Sequence, residues 1–203
     1  MAETAEGKLI DPYHGKQDLE QKILRHVSDA FAEDPVRILR VGRFLARYYH
    51  LGFSVAPETM QLMREMVQAG EVNALVAERV WKELERALGE KNPEQFFVVL
   101  DQCGALPILF PELKINGRGM HALKNASAIS QDTAVRFAAL FHDYTDGNKQ
   151  QLSVICRRYR IPNDYHQLAK MTASYYRNTE NTRSLSAADL LTLFTRLDYF
   201  RRE

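Results

Sequence analysis

Residues 32–50, which read AEDPVRILRVGRFLARYYH, predict an amphipathic helix. Aspartate is a favourable N-cap and proline suits the first helical position, so Asp34 and Pro35 mark its start. At about 100° per residue, apolar side chains gather on one side of the helix and arginines gather on the neighbouring side. The arginines are Arg37, Arg40, Arg43 and Arg47, and the apolar residues are Ile38, Val41, Phe44, Leu45 and Tyr48. The segment therefore predicts a helix from about residue 35 to residue 50, with a basic stripe beside a buried face.

Asp34 and Arg37 stand three residues apart at this helix start, on one face. A carboxylate only accepts hydrogen bonds and a guanidinium only donates them. Together they complement a base edge that offers an exocyclic amine beside an acceptor ring nitrogen, as cytosine and adenine do. Guanine and uracil would leave the pair with mismatched partners, which is costly in a desolvated site. The two residues alone leave two interpretations open: a base-reading pair, or a capped helix with one local ion pair.

Helical spacing and helix end signals recur along most of the chain. They predict further helices over residues 16–26, 57–70, 77–88, 93–103, 133–144, 152–159, 164–176 and 187–202. No run alternates like a strand for long, so we expect an all-α, multi-helix array. The apolar periodicity lapses over residues 114–119, which predicts an internal boundary there.

Composition narrows the class of protein. The chain has 203 residues, 45% of them hydrophobic, and a formal net charge of +1, so any nucleic-acid surface must come from local clustering of its 27 Lys and Arg residues. Cys103 and Cys156 fit no metal or redox spacing, which is typical of reduced core thiols. No apolar run is long enough to span a membrane, and the polar start is unlike a signal peptide. We expect a cytoplasmic protein that has no membrane partner.

Three segments resemble one family in the same order. They are Asp11 to Gly15 with Asp18, Glu33 to Arg40, and Glu78 to Glu83. These segments resemble the C, D and E motifs of the class II bacterial tRNA nucleotidyltransferases, the CCA-adding enzymes. The resemblance is close over residues 8–113 and loose beyond them. Bacterial poly(A) polymerases share the second motif, but the amino-acid sequence over residues 48–59 is more similar to the CCA-adding branch.

The resemblance implies a domain order and a function. Residues 1–75 would form the neck, residues 76–115 the body, and residues 116–203 a tail that is a degenerate remnant of an HD-type helical domain. Such a chain would select CTP and then ATP and would bind the acceptor and T arms of tRNA, so that C, C and A are added to the tRNA 3′ end.

The resemblance also implies residue roles. Asp34 and Arg37 would contact the base, Glu33 would organise the arginine, and Arg40 would steady the helix or reach the triphosphate. Asp11, Gly15 and Asp18 would form a coupling segment; the alternative is a simple turn. Glu78, Arg79 and Glu83 would support the template helix; the alternative is an ordinary charged helix face with Trp81 in the core.

One departure from the family concerns catalysis. Members carry an N-terminal head that holds Mg²⁺ on an Asp-x-Asp pair and performs the transfer. This sequence shows no such segment, so we expect a fragment with no catalytic residue of its own, inactive alone and binding no cofactor.

A second departure concerns residues 116–203. His142 and Asp143 resemble a His-Asp doublet of the tail domain, with His121 as a further candidate ligand, but the set does not complete a metal site. We expect packing or capping roles for the doublet, with hydrolase activity as the alternative. Later basic residues would contact tRNA phosphates or else form a solvated helix face. They are Arg157, Arg158, Arg160, Lys170, Arg201 and Arg202.

Three other functions remain open from the sequence. One is a non-catalytic helical RNA-binding module, another is a poly(A) polymerase relative, and the third is an active metal phosphohydrolase. The residues preceding Met1 in the natural protein would discriminate the first of these from the leading hypothesis.

Overall fold

The computed structural model describes residues 2–3, 9–144, 149–180, 182 and 185–197. Within these residues the chain forms eleven α-helices and four strands of two residues each. The helices are α1 Gly15–Gln21, α2 Val36–Tyr48, α3 Pro57–Gln68, α4 Ala77–Leu88, α5 Glu94–Gln102, α6 Leu106–Leu109, α7 Arg118–Ile129, α8 Thr133–Leu140, α9 Lys149–Arg158, α10 Asn163–Glu180 and α11 Ala187–Arg196. The strands are β1 Ala2–Glu3, β2 Leu9–Ile10, β3 Ile23–Leu24 and β4 Ser54–Val55. The all-α prediction is confirmed.

The chain divides into two compact units, Met1–Gly117 and Arg118–Glu203. The second unit begins two residues after the predicted start of the tail. Within the first unit, α2 of the predicted neck packs against α4 and α5 of the predicted body. The division of this unit into a neck and a body stays a prediction.

Helix α2 is the centre of the first unit. Ile38, Leu39 and Ala46 on its apolar face are fully buried. Gly42 lies where α2 crosses α5, and a Cβ atom at this position would stand 3.1 Å from the Phe96 ring and 3.2 Å from the Phe96 carbonyl oxygen. The absent side chain lets the two helices approach closely. This packing fixes the position of the arginines on the other side of α2.

The prediction of one helix over residues 16–26 was wrong beyond Gln21. Lys22 adopts a left-handed conformation with φ of 59° and ends α1, and its carbonyl oxygen accepts a hydrogen bond from the Ser54 N–H. The next two residues pair in parallel with Ser54–Val55. Distant backbone pairing therefore overrides the local helical spacing.

The second unit is built on α8, which packs against α7 and α10. Gly119 of α7 lies against the α8 backbone: a Cβ atom there would stand 2.2 Å from the Leu140 carbonyl oxygen. The Phe137 ring lies 5.0 Å from the Phe141 ring and 5.9 Å from the Tyr165 ring, centre to centre. These contacts form the core of the unit.

A buried arginine caps α7. Arg136 is 1% exposed, and it donates from Nε to the Ser130 carbonyl oxygen at 2.7 Å and from Nη2 to the Ser127 carbonyl oxygen at 3.2 Å. Carbonyl groups at the C-terminal end of a helix have no partner within the helix. Arg136 therefore satisfies groups whose burial would otherwise be unfavourable.

Several predicted helix boundaries differ from the structure. Helices α6 and α7 were not predicted, and α8 ends at Leu140, before the predicted residue 144. Helix α10 runs to Glu180, beyond the predicted residue 176, and α11 ends at Arg196. Residues 198–202 of the predicted last helix, with Arg201 and Arg202, lie outside the described residues. Among the described residues, no helix is long and apolar enough to cross a membrane.

Candidate functional site

A short 3₁₀ helix, Asp29–Glu33, leads into the start of α2. Asp34 then has extended backbone, and its Oδ1 atom accepts a hydrogen bond from the Val36 N–H at 3.1 Å. Pro35 occupies the cap position, one residue before the first helical residue, Val36. The predicted start was therefore early by one residue, although Asp34 still caps the first turn with its carboxylate.

The partner of Asp34 comes from α4. Its Oδ2 atom lies 2.6 Å from Nη2 of Arg79, 45 residues away in sequence. This hydrogen bond is the largest of the effects that lower the pKa of Asp34, with the positive charge of Arg37 as a smaller contribution. The local ion pair between Asp34 and Arg37, one of the two interpretations of the sequence, does not form, and Asp34 makes this longer-range pair instead. The carboxylate is ionised at neutral pH and acts only as an acceptor, and the contact with Arg79 fixes its position.

Arg37 makes its side-chain hydrogen bond with a backbone group. Its Nη1 atom donates to the Ala30 carbonyl oxygen in the preceding 3₁₀ helix. Arg37 and Arg40 also line a cavity of about 410 Å³. Among its other lining residues are His26, Phe31, Val41 and Phe44. Both arginines thus border one largely apolar cavity, while Glu33 is exposed and its role toward Arg37 stays a prediction.

A second contact joins α2 to α4. Glu83 is 7% exposed, and its Oε2 atom accepts a hydrogen bond from Arg43 Nε at 2.7 Å. Trp81 is buried on the same helix, and Glu78 is exposed. Arg79 and Glu83 therefore hold α4 against α2 at two positions one turn apart, which is the contact that a supporting role requires.

The predicted coupling segment comprises the turn before α1 and the first turn of that helix. Asp11 accepts hydrogen bonds from the N–H groups of Gly15 and Lys16, each at 2.8 Å. The Lys16 bond is the main cause that lowers the pKa of Asp11. Asp18 lies 3.0 Å from Nε of Arg25, which also pairs with Glu58 at the start of α3. The segment is thus a capped turn that is linked to the rest of the first unit through Arg25.

Sequence reasoning missed the connecting role of Arg25. Its partners lie 7 and 33 positions away, and only the pairing of Ile23–Leu24 with Ser54–Val55 brings Glu58 close. A local pattern contains no signal for this contact. The Arg79 partner of Asp34 is hidden from sequence for the same reason.

The predicted doublet and basic residues lie in the second unit. His142 contacts the Ala139 carbonyl oxygen through Nδ1 at 2.9 Å, and its ring lies 5.0 Å from the Tyr176 ring, while Asp143 is half-buried in the following turn. Of the predicted RNA-binding residues, Arg157 and Arg158 end α9, Arg160 follows them, and Lys170 lies on α10, all exposed. Across the described ranges, no group of three or more His, Cys, Asp or Glu side chains is placed to hold a metal ion.

Comparisons with known proteins identify the relatives of this chain. It is 48% identical, over its whole length, to the multifunctional CCA protein of Thioalkalivibrio sulfidiphilus, and 47% identical to the CCA-adding enzyme of Coxiella burnetii. The chain is homologous to the CCA-adding enzymes. It spans 57% and 53% of the lengths of these two relatives. The resemblance found from the motifs is therefore confirmed.

Solved structures and a family model agree with this homology. A CCA-adding enzyme in complex with CTP matches 92% of this chain and 46% of its own length, with 25% identity and a TM-score of 0.67. The Thermotoga maritima CCA-adding enzyme in complex with tRNA shares the fold, at 23% identity and a TM-score of 0.63, over 83% of this chain and 42% of its own. Residues 52–115 match a family described as a probable RNA- and SrmB-binding site of polymerase A.

Replacing Arg79 by glutamine tests the contact between α4 and Asp34. We expect the pKa of Asp34 to rise toward its usual value of 3.8, because the hydrogen bond and charge that lower it are removed. The folded-state pKa is lowered, so the stabilisation is present above that usual value and is lost as the pH falls through the folded-state pKa. Carboxyl NMR titration of Asp34 measures the change.

Arg86→Gln is the matched control, because Arg86 is an exposed arginine on the same helix and does not contact Asp34. An Asp34 pKa that stays equally low in both variants would contradict the pairing.

Proposed function

We propose that this chain supplies the nucleotide-selecting and tRNA-binding portion of a CCA tRNA nucleotidyltransferase, which adds C, C and A to tRNA 3′ ends from CTP and ATP. The observation that carries this proposal is homology to CCA-adding enzymes along the entire chain, at 47–48% identity. Because the chain spans only about half of these relatives, we assign the transfer itself to the part of the enzyme that lies outside this chain.

Base selection is assigned to the start of α2. Asp34 is held by Arg79, and its ionised carboxylate accepts from the exocyclic amine of cytosine or adenine. Arg37 exchanges the Ala30 carbonyl oxygen for the ring nitrogen acceptor of the base. Uracil and guanine offer a carbonyl oxygen and a ring N–H in these places. Their carbonyl oxygen would face the Asp34 carboxylate, and their ring N–H would face the Arg37 guanidinium, so that acceptor meets acceptor and donor meets donor. Arg40 lies one turn beyond Arg37, on the same cavity, and is assigned to the triphosphate.

Support of this pair is assigned to α4 and to the segment around α1. Glu83 and Arg79 position α2 through the contacts described above, and Glu78 belongs to the same proposed support. Asp11, Gly15 and Asp18 form the proposed coupling segment, which reaches α3 through Arg25. These roles connect nucleotide choice to movement of the rest of the enzyme.

Magnesium is proposed for the transfer step of the full enzyme, where it would offset the charge of the triphosphate. The residues described here do not fit a magnesium site, since their carboxylates do not gather in a group of three or more donors. No step of the reaction is therefore assigned to a metal on this chain.

Transfer RNA is the proposed macromolecular partner, in a cytoplasmic setting. Arg157, Arg158, Arg160 and Lys170 are exposed in the second unit, where they are available to the phosphates of the acceptor and T arms. Contacts of this kind read shape and charge, so affinity should fall with salt and depend little on tRNA sequence.

A poly(A) polymerase relative is the second candidate. The match of residues 52–115 to a model named for polymerase A favours it. The whole-chain homology favours the CCA-adding enzymes instead. The two functions differ in nucleotide use, because poly(A) synthesis has no need for CTP.

Labelled CTP and a tRNA that lacks its 3′-terminal CCA test the proposal. The full-length enzyme should incorporate two labelled C residues, and the 203-residue chain should bind CTP and the tRNA without incorporating label. Incorporation of ATP alone would favour the polymerase alternative. Incorporation of CTP by the 203-residue chain alone would contradict the assignment of the transfer step.

A further inference from the structure

A polar cavity lies beyond the two arginines that we assign to the nucleotide. Arg43 and Arg47 form the second half of the basic stripe on α2, and Arg86 of α4 lies beside them. Together with Gly89 and Glu90 they line a cavity of about 350 Å³, here called the arginine cavity. None of its arginines has a role in base selection.

Two acidic side chains hold these guanidinium groups in place. Arg47 Nε lies 2.9 Å from Glu90 Oε2. Arg43 contacts both carboxylates: its Nε atom lies 2.7 Å from Glu83 Oε2, and its Nη1 atom lies 3.7 Å from Glu90 Oε1. The carboxylate side chains are only 11% and 9% exposed, whereas the side chains of Arg47 and Arg86 are 49% and 52% exposed. Three guanidiniums face two carboxylates, of which Glu90 lines the cavity and Glu83 does not, so the cluster carries a net positive charge.

Further exposed cations lie on α2 and α4, the two helices that carry the arginines of the cavity. The contacts of Asp34 with Arg79, Arg43 with Glu83 and Arg47 with Glu90 follow the same order along both segments, so α2 and α4 point in the same general direction. Each helix also carries exposed cations, and two of them, Arg47 and Arg79, make the ion pairs between the two segments. The exposed cations are Arg40 and Arg47 on α2, and Arg79, Lys82 and Arg86 on α4. From Arg37 to Arg47 is ten residues, which is about 15 Å along a helix. The cavity therefore lies about 15 Å from the base-reading residues, at the end of a line of cations.

We propose that the arginine cavity binds a phosphate group of the RNA substrate. A guanidinium presents a planar fork of donors that matches two phosphate oxygens, and the carboxylates paired with Arg43 and Arg47 hold this fork before the ligand arrives. A line of cations that leads to the cavity is the pattern that a repeating anionic backbone requires. The inference rests on the proposed function, and the triphosphate of the nucleotide is the second source of the same phosphate chemistry.

The test measures binding by the 203-residue chain. In the double variant Arg47→Gln/Arg86→Gln, we expect the affinity for a tRNA lacking its 3′-terminal CCA to fall about tenfold or more at low salt, since charged hydrogen bonds are removed. The slope of log affinity against log salt concentration should fall by about one for each phosphate that the variant no longer binds. Affinity for CTP should stay unchanged. Arg47→Lys/Arg86→Lys should keep most of the salt slope but not the full affinity, because lysine keeps the charge and lacks the fork.

The single variants Arg86→Gln and Arg118→Gln form a matched pair, each removing one exposed arginine from a different unit. Arg86→Gln also serves if the double variant fails to fold, because the side chain of Arg86 is 52% exposed and its contact with Glu83, at 3.6 Å, is long for an ion pair. A loss of CTP affinity with tRNA affinity unchanged would overturn the assignment to RNA and would identify the nucleotide triphosphate as the source of the phosphate. Equal losses in Arg86→Gln and Arg118→Gln, or no loss in the double variant, would overturn the proposal. Failure of the unaltered chain to bind either tRNA or CTP would instead count against the proposed function.

Discussion

Replacing Arg37 by alanine in the full-length enzyme is expected to remove most of the preference for CTP and ATP over GTP and UTP. The guanidinium is the only donor of the proposed pair, so its loss leaves the ring nitrogen of the correct base without a partner. Loss of a charged hydrogen bond in a desolvated site corresponds to about a 10- to 100-fold change. Competition between labelled nucleotides during addition to tRNA measures the preference, and metal binding should stay intact.

Arg64→Ala is the control for Arg37. Arg64 is also an arginine of the first unit, but it lies on α3 and donates to the Gln102 carbonyl oxygen, away from the start of α2. Both variants should fold, and only Arg37→Ala should change nucleotide choice. The template role is refuted if discrimination is the same in Arg37→Ala as in the unaltered enzyme.

Replacing Gly119 by alanine is expected to destabilise the second unit by about 3 kcal/mol or more, since overpacking costs about 1–3 kcal/mol and this contact is severe. The added Cβ atom would stand 2.2 Å from the Leu140 carbonyl oxygen and 3.0 Å from its carbon. Both are backbone atoms, so α7 and α8 would have to separate. Urea unfolding, followed by a probe in the second unit, measures the loss.

The direction in which Gly119→Ala changes the stability of the second unit distinguishes overpacking from a gain in helix propensity. Alanine is favoured over glycine inside a helix by about 1 kcal/mol, so the substitution would stabilise α7 if space were available. Ala128→Gly on the exposed side of α7 makes the reverse change and should cost only that amount. An increase in stability of Gly119→Ala would show that the two helices do not touch there.

Local signals predicted much of the first unit. Asp34 and Pro35 located the start of α2 to within one residue, and Pro57 is the first residue of α3 as predicted. These boundaries depend on backbone preferences of single residues, which a sequence shows directly. The end of α1 depends on pairing with β4, which no local pattern contains.

The unpredicted helix α7 has a different cause. Its first turn contains Gly119, which lowers helix propensity and broke the apolar periodicity used for prediction. The helix forms because Met120, Leu123 and Ala126 are buried in the second unit. Tertiary packing therefore decides this element.

The candidate site was partly predictable. Its residue types and their order identified the family, because motifs of this kind preserve chemistry. Their contacts were not predictable, since Asp34 pairs with a residue 45 positions away and the nearby Arg37 contacts a backbone oxygen. Pairing of charges across a fold depends on which helices pack together.

The parallel contacts of α2 and α4 matter for chimeric enzymes. A donor α2 that arrives in a recipient without its own α4 would meet foreign partners for Asp34 and Arg43 at once. Nucleotide preference and stability would then change together. Both changes would come from the lost contacts with α4 and not from the sequence of the transferred helix. Because α2 also packs against α5, residues 34–102 are the smallest segment that recombination between relatives should move as one piece.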